Sequence, residues 1–326
     1  MTVTAERPAP TDPRPAGPRR WTDPRRGRRT TGLGVLCAAA LLTHPLLPDT
    51  PGNLGSLAQT FLPWSALALP PLLLCALLRR SALAVAGVLV PALIWVTLYA
   101  GTFADKRGTG GELTVVTHNV GEGNPDPAGT ARALAASGAQ VIAVQELAPE
   151  TWDTFARALP ARYRHHTLQG GVGLWSTYAM SGAEALDIMP WPRALRATLI
   201  TPEGPVRVYV AHLASVRLSP WAGFATARRD DAARRLADVI ARDPSPRALL
   251  LGDLNGTMDD RALAPLLRGM TSAQEAAGAG FGFSWPAAFP LARIDHVLAR
   301  GLVPASAHTL PATGSDHLPV AASLRF

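Results

Sequence analysis

Six short motifs carrying carboxylates, amides and imidazoles follow one another along the chain. They are Thr117-His118-Asn119, Val144-Gln145-Glu146, Ala211-His212-Leu213, Gly252-Asp253-Leu254-Asn255, Ile294-Asp295-His296 and Ser315-Asp316-His317. Each borders a short apolar run that reads as a β-strand, so the polar residues fall at strand ends, where they can converge on one concave rim. This stretch has no cysteine and no Gly-x-Ser-x-Gly elbow, which removes a thiol or an elbow serine as nucleophile. Oxygen ligands mixed with imidazoles suit a hard divalent ion, Mg²⁺ or Mn²⁺. Such an ion among carboxylates suits phosphoester hydrolysis, where charge on the phosphoryl oxygens has to be neutralised. Taken singly the same residues have plainer roles. Asn119 fits a turn, Asp253 and Asn255 fit the cap of a helix near Asp259, and Asp295 fits a solvated strand. Those roles do not explain six motifs in order. His118, the His165-His166 pair and His296 read as structural. Arg193 and Arg196 flank a strand and suit either a phosphate contact or a solvated face.

The elements that must position these residues are legible from periodicity. Strands are expected over 113–120, 140–147, 163–168, 171–176, 195–200, 206–213, 247–253, 294–298 and 320–326, and helices over 128–137, 149–159, 226–242 and 259–268. The runs at 140–147 and 247–253 are nearly all apolar, as in strands covered on both faces. No repeat of fixed short period is present, so 105–326 reads as one mixed α/β domain.

In this order and at these strand ends the motifs, together with Ser284-Trp285-Pro286, resemble those of the endonuclease/exonuclease/phosphatase superfamily, the DNase I-like fold. The resemblance covers about 112–326. It implies an α/β (α+β) four-layer sandwich of two packed mixed sheets flanked by helices, and an enzyme that hydrolyses phosphoesters with Mg²⁺ or Mn²⁺. Carried over position by position, it implies that Glu146 is the principal metal ligand. Asn119 would be a second contact to the metal or its water, and Asp316 would add to the metal site. Asp253 would orient or deprotonate the attacking water, Asn255 would hold the phosphate, and His212 would contact the scissile phosphate. Asp295 would pair with His317, fixing its tautomer and favouring its protonated form. Arg193 and Trp285 are the candidate substrate contacts. One position departs from the pattern: Gly121 stands where some nuclease members carry an acidic residue.

Charge is distributed unevenly. The chain has 326 residues and a net charge of +7. Residues 1–30 hold eight Arg against three acidic residues, a net of +5, in a Pro-rich stretch with Trp21 as its only large apolar residue. Such a tail reads as disordered. Residues 102–326 hold 21 basic and 20 acidic residues, a net of +1, which weighs against the basic groove of a dedicated nuclease. Between them lie three apolar spans, about 31–48, 60–78 and 81–101, within a region 31–104. Three transmembrane helices are expected there, the first also fitting a cleavable leader. The Arg-rich tail and Arg79-Arg80 would both face the cytoplasm, leaving the domain 105–326 outside a multi-pass cell-membrane anchor. This architecture resembles the VanJ-type teicoplanin-resistance membrane proteins. That resemblance implies a bacterial envelope phosphatase acting on a lipid phosphate or pyrophosphate such as undecaprenyl pyrophosphate, with the bilayer and a phosphorylated lipid as partners. Two alternatives stand beside it: a nuclease tethered to the cell surface, and a catalytically silent binding module.

Overall fold

Strands that are apolar on both faces need cover on both faces, and two sheets packed together with helices outside supply it. The computed structural model describes residues 21, 23, 25–50, 52–221 and 223–326. Residues 1–20 of the expected tail lie outside them. The described chain forms two compact units: residues up to Leu42 with Ser65–Val96, and Thr43–Trp64 with Thr97–Phe326.

The N-terminal region holds α1 (Arg28–Thr43), α2 (Leu54–Thr60), α3 (Leu69–Leu78) and α4 (Ala82–Phe103). The three straight spans expected from hydropathy are not present among the described residues. One helix, α4, is long and apolar enough to cross a bilayer; its 22 residues rise about 33 Å. The 16 residues of α1 rise only about 24 Å before His44-Pro45 turns the chain into a 3₁₀ segment. The expected span 60–78 is broken. Its apolar run includes Pro63, Pro70 and Pro71, it passes through a 3₁₀ stretch (Leu62–Ala68) into α3, and α2 meets Leu62–Leu78 at a bend of 76°. Proline removes a helix donor and clashes with the preceding turn, which hydropathy alone does not register.

The second unit adds β1 (Leu113–Asn119), α5 (Pro127–Ala136), β2 (Val141–Gln145), α6 (Trp152–Ala158), β3 (His165–Gln169), β4 (Val172–Ser176), β5 (Ala179–Ala185), β6 (Ala194–Thr201) and β7 (Gly204–His212). The chain continues through β8 (Arg217–Ser219), β9 (Gly223–Ala225), α7 (Ala227–Arg242), β10 (Ala248–Asp253), β11 (Thr271–Ser272), α8 (Ala273–Ala277), β12 (Asp295–Arg300), β13 (Val303–Thr309) and β14 (Val320–Arg325). Two six-stranded mixed sheets result, ordered β13-β14-β1-β2-β4-β3 and β11-β12-β10-β7-β6-β5, with β8-β9 as a separate ribbon. Alternate side chains separate the layers. Val115, Val141 and Leu174 meet Leu195, Val208 and Leu249 between the sheets. Val116, Ile142 and Trp175 face outward onto Leu134 of α5 and Phe155 of α6. Tyr209, Leu250 and Leu298 of the other sheet face Leu236 and Ile240 of α7. The expected four-layer sandwich is therefore observed.

Five strands escape the sequence pattern, β5, β8, β9, β11 and β13; of these β8 and β9 form the separate ribbon and β5, β11 and β13 are sheet edges. β5 (Ala-Met-Ser-Gly-Ala-Glu-Ala) is mostly exposed and β13 carries Pro304. Edge strands need neither alternation nor every N–H donor, so their composition looks like loop.

Helix α7 reads as a solvated charged helix, yet Arg229 on it is fully buried. Its guanidinium pairs with Asp260 at 2.7 Å and Asp230 at 2.6 Å and donates to the Asn255 carbonyl at 3.2 Å and Ser56 Oγ at 3.1 Å. Gly256 lets it approach: a Cβ there would stand 2.2 Å from the Arg229 guanidinium. Removing one partner of a buried pair strands the other charge. Arg229→Ala is therefore expected to destabilise the second unit by about 3–5 kcal/mol, measured as a lower urea midpoint in the full chain. Arg229→Lys should recover less than half of that loss, because an ammonium cannot serve all these acceptors in one plane.

Candidate active site

Strand pairing sets the first three residues. β10 lies parallel to β7 and antiparallel to β12, and the register places Asp253 opposite both His212 and Asp295. Gly252 before it sits at φ +149, where a Cβ would collide with the Ala211 carbonyl at 1.9 Å, so only glycine fits. The other sheet contributes Asn119 at the end of β1. Its Nδ2 donates to Asp253 Oδ2 at 3.0 Å, and its Oδ1 accepts from the Gly121 N–H at 3.0 Å. The Asn255 backbone N–H donates to Asp253 Oδ1 at 2.8 Å. Its side-chain amide donates to Asp253 Oδ2 at 3.2 Å and to the Leu213 carbonyl at 3.0 Å. Glu146, one residue past β2, and Asn255 both hold left-handed backbone, at φ +55 and +48. Such conformations cost non-glycine residues free energy and cluster where a side chain must be aimed.

Two imidazoles on either side of Asp253 are held in opposite protonation states. Arg193 donates to His212 Nδ1 at 2.6 Å. A guanidinium only donates, and the same Nη1 stands 3.3 Å from Nε2, so the closer Nδ1 is the acceptor and the ring proton sits on Nε2. That Nε2 faces Glu146 Oε1 at 3.4 Å and Asp253 Oδ2 at 3.7 Å. Burial, then Arg193 and His317, push the His212 pKa down to about 3, so the ring is neutral. His317 is the reverse case. Burial works against its charge, but Asp295 at 2.8 Å from Nδ1, with Asp253 and Asp316 nearby, raises the pKa to about 10. His317 is therefore an imidazolium between Asp295 and Asp253, 3.8 Å from the latter. The Asp253 carboxyl is itself raised, by burial and by the facing Asp295, against the opposing pull of His317, Asn119 and Asn255.

The donor set fits a divalent cation on Glu146. Asp253, Asp295 and His317 offer ligand atoms within 4.8 Å of one another. That cluster already carries its own cation in the His317 ring, and a metal would have to displace a tightly held proton. Glu146 instead lines the pocket beside a neutral imidazole, with its side chain 28% exposed. It is the carboxylate of this floor that has no cationic ring against it. Asp316 lies on the same pocket wall, exposed, and accepts from the Trp285 indole N–H at 3.2 Å.

All ten sequence candidates are thus placed. Asn119, His212, Asp253, Asn255, Asp295 and His317 form one bonded network with Glu146 at its mouth. Asp316 and Trp285 lie on the pocket wall. Arg193 stands behind His212 and sets its tautomer rather than lining the pocket. His296 Nε2–H donates to the Gly256 carbonyl at 2.8 Å, and His118 meets Thr313 at 2.7 Å; both are buried, in keeping with structural roles. Sequence reasoning missed Arg217, Leu57, Thr60 and Phe61, which line the same pocket of about 410 Å³. No motif marks them, because they come from a hairpin and from a helix far upstream.

The family model of the Endonuclease/Exonuclease/phosphatase family matches residues 116–317. No curated protein sequence matches the chain. Among solved structures, the chain is similar to a mannosyl-6-phosphatase from Bacteroides thetaiotaomicron (TM-score 0.56, 15% identity), covering 66% of this chain and 100% of that one. It is also similar to D. rerio TDP2 complexed with a single-strand DNA product (TM-score 0.55, 16% identity, 66% and 99%). A third likeness is to sphingomyelinase C from Streptomyces griseocarneus (TM-score 0.50, 21% identity, 66% and 99%). At these identities the likeness is one of fold.

The Asp295–His317 pair makes stability depend on pH with a definite sign. The folded pKa of His317 lies above its ordinary 6.5, so its contribution is complete below pH 6.5 and is lost as pH rises through about 10. In EDTA, the unfolding free energy of the full chain is expected to decline across that window, and His317→Gln to flatten the decline. An unchanged slope in the variant would place its source elsewhere.

Proposed function

The chain belongs to the Endonuclease/Exonuclease/phosphatase family, and on that premise we propose that it is a membrane-anchored, divalent-metal-dependent phosphoesterase acting on the phosphate or pyrophosphate of a membrane lipid. The observation that carries the reading is one pocket with two chemistries. Its floor holds Glu146, Asp253, Asn255 and His317; its walls include Val216, Phe224, Ala292 and Ile294. A phosphoryl group belongs on the floor and a hydrocarbon against the walls. The apolar helix α4 supports a bilayer anchor, and the eight Arg of the first 30 residues support a cytoplasmic N-terminus. A net charge of +1 over 102–326 favours this reading over a nuclease.

Glu146 would hold the cation, with Asn119 and Asp316 as further oxygen donors. A bound Mg²⁺ or Mn²⁺ would supply neutralisation of charge on the phosphoryl oxygens. The rest falls to the chain itself. Asp253, with raised proton affinity, accepts the proton of an attacking water near neutral pH. Asn119 and Asn255 hold its carboxylate in place. His317, kept cationic by Asp295, presents positive charge to the phosphoryl oxygens as negative charge develops. His212 offers its Nε2–H to the same space.

Purified full chain with Mg²⁺ or Mn²⁺ should release phosphate from a polyprenyl pyrophosphate and lose that activity in EDTA. Asp253→Asn should cost roughly 10²–10⁴-fold in kcat, and Glu146→Gln should raise the metal concentration needed for half-maximal rate. Nicking of plasmid DNA without hydrolysis of any lipid phosphoester would replace the lipid reading with the nuclease one.

A further inference from the structure

The family match begins at residue 116, yet one wall of the catalytic pocket comes from residues 57–61. Leu57 and Thr60 of α2, and Phe61 just after it, line the same cavity as Asp253 and His317. This wall is fastened at several points within the second unit. Ser56 Oγ donates to Asp260 and receives from Arg229 at 3.1 Å, and Arg229 also holds the Asn255 carbonyl at 3.2 Å. The Gln59 side chain accepts from the Arg261 N–H at 3.0 Å. The Trp64 indole donates to the Leu291 carbonyl at 2.7 Å, and the Phe224 N–H donates to the Gly52 carbonyl at 2.9 Å. A helix of seven residues is not stable alone, so these bonds are what hold it there.

Leu57 is half-buried and Phe61 is 36% exposed, both lining the pocket on a segment whose Ser56 and Gln59 side chains bond the domain behind it. Beside this segment Leu218 and Phe224 of the β8-β9 ribbon line the same cavity. The cavity of about 410 Å³ is continuous from this apolar end to the acidic floor. Resting on the phosphoesterase reading above, we propose that α2 is the specificity element of the enzyme. Leu57 and Phe61 take the hydrocarbon that follows the first five-carbon unit at the phosphoryl group, so a segment upstream of the family domain selects long-chain lipid phosphoesters over small soluble ones. The remainder of the chain stays outside the pocket.

The test uses the full chain in lipid nanodiscs and a series sharing one reacting group: isopentenyl (five-carbon) and farnesyl (fifteen-carbon) pyrophosphates. In the wild type, KM should fall with chain length. Leu57→Asn and Phe61→Asn should each raise KM for the farnesyl compound about tenfold, with kcat little changed and kcat/KM for the isopentenyl compound within about twofold. Equal losses on both substrates, or none on either, would overturn the proposal. If the wild type hydrolyses neither compound, the phosphoesterase reading on lipid pyrophosphates falls, and calorimetric binding decides the wall separately. Octyl phosphate must then bind at least tenfold more tightly than ethyl phosphate, with the difference abolished in both variants; equal binding of the two would overturn the wall as well.

Discussion

A buried carboxylate holds the catalytic unit together at its centre. Asp253 is 1% exposed, and a charge removed from water is tolerated only where hydrogen bonds and countercharge replace the lost hydration. Those replacements come from both sheets. Asn119 reaches it from β1, while His212 and Asp295 flank it through the register of β7, β10 and β12. The bond between Asn119 and Asp253 therefore ties the two sheets at the rim where the pocket opens. The same requirement accounts for the glycine before Asp253 and the left-handed backbone at Asn255, which turn donors toward the carboxylate.

The asymmetry between the imidazoles follows from what stands behind each. Arg193 is behind His212 and Asp295 is behind His317. Burial, helped by the cation behind it, keeps the His212 ring neutral, and the anion behind the also buried His317 ring keeps that one charged. Two residues of the same type thereby serve as a neutral donor and as a fixed positive charge within reach of the same aspartate. Electrostatic stabilisation of a developing phosphoryl charge needs such preset charges, because they require no rearrangement when the reaction occurs.

The second organising device is Arg229. It lies on a helix whose other charges meet solvent, yet it links the loop after β10 to α2 through Asn255 and Ser56. The catalytic loop and the upstream wall are thereby positioned by one guanidinium, whose rigid fork serves several acceptors at once. A segment with no motif of its own becomes part of the pocket because its polar groups are satisfied by the domain.

Apolar runs ending in polar residues, in a particular order, determined the sandwich and pointed to most of the polar residues that it gathers at the candidate site. That information is local: strand period and the residue at a strand's end are properties of a few neighbouring positions. The same local reading failed for β5 and β13, whose edge positions relax the pattern, and for the expected spans around 31–48 and 60–78, where prolines break the helix that hydropathy implies. Tertiary structure alone decided that Arg193 backs His212 instead of facing the pocket, that the His317 ring stands between Asp295 and Asp253, and that Arg229 is buried. It alone brought Ser56 against Asp260, 204 positions away. Such pairings depend on the direction and burial of each side chain after the layers have packed, and no spacing along the chain records either.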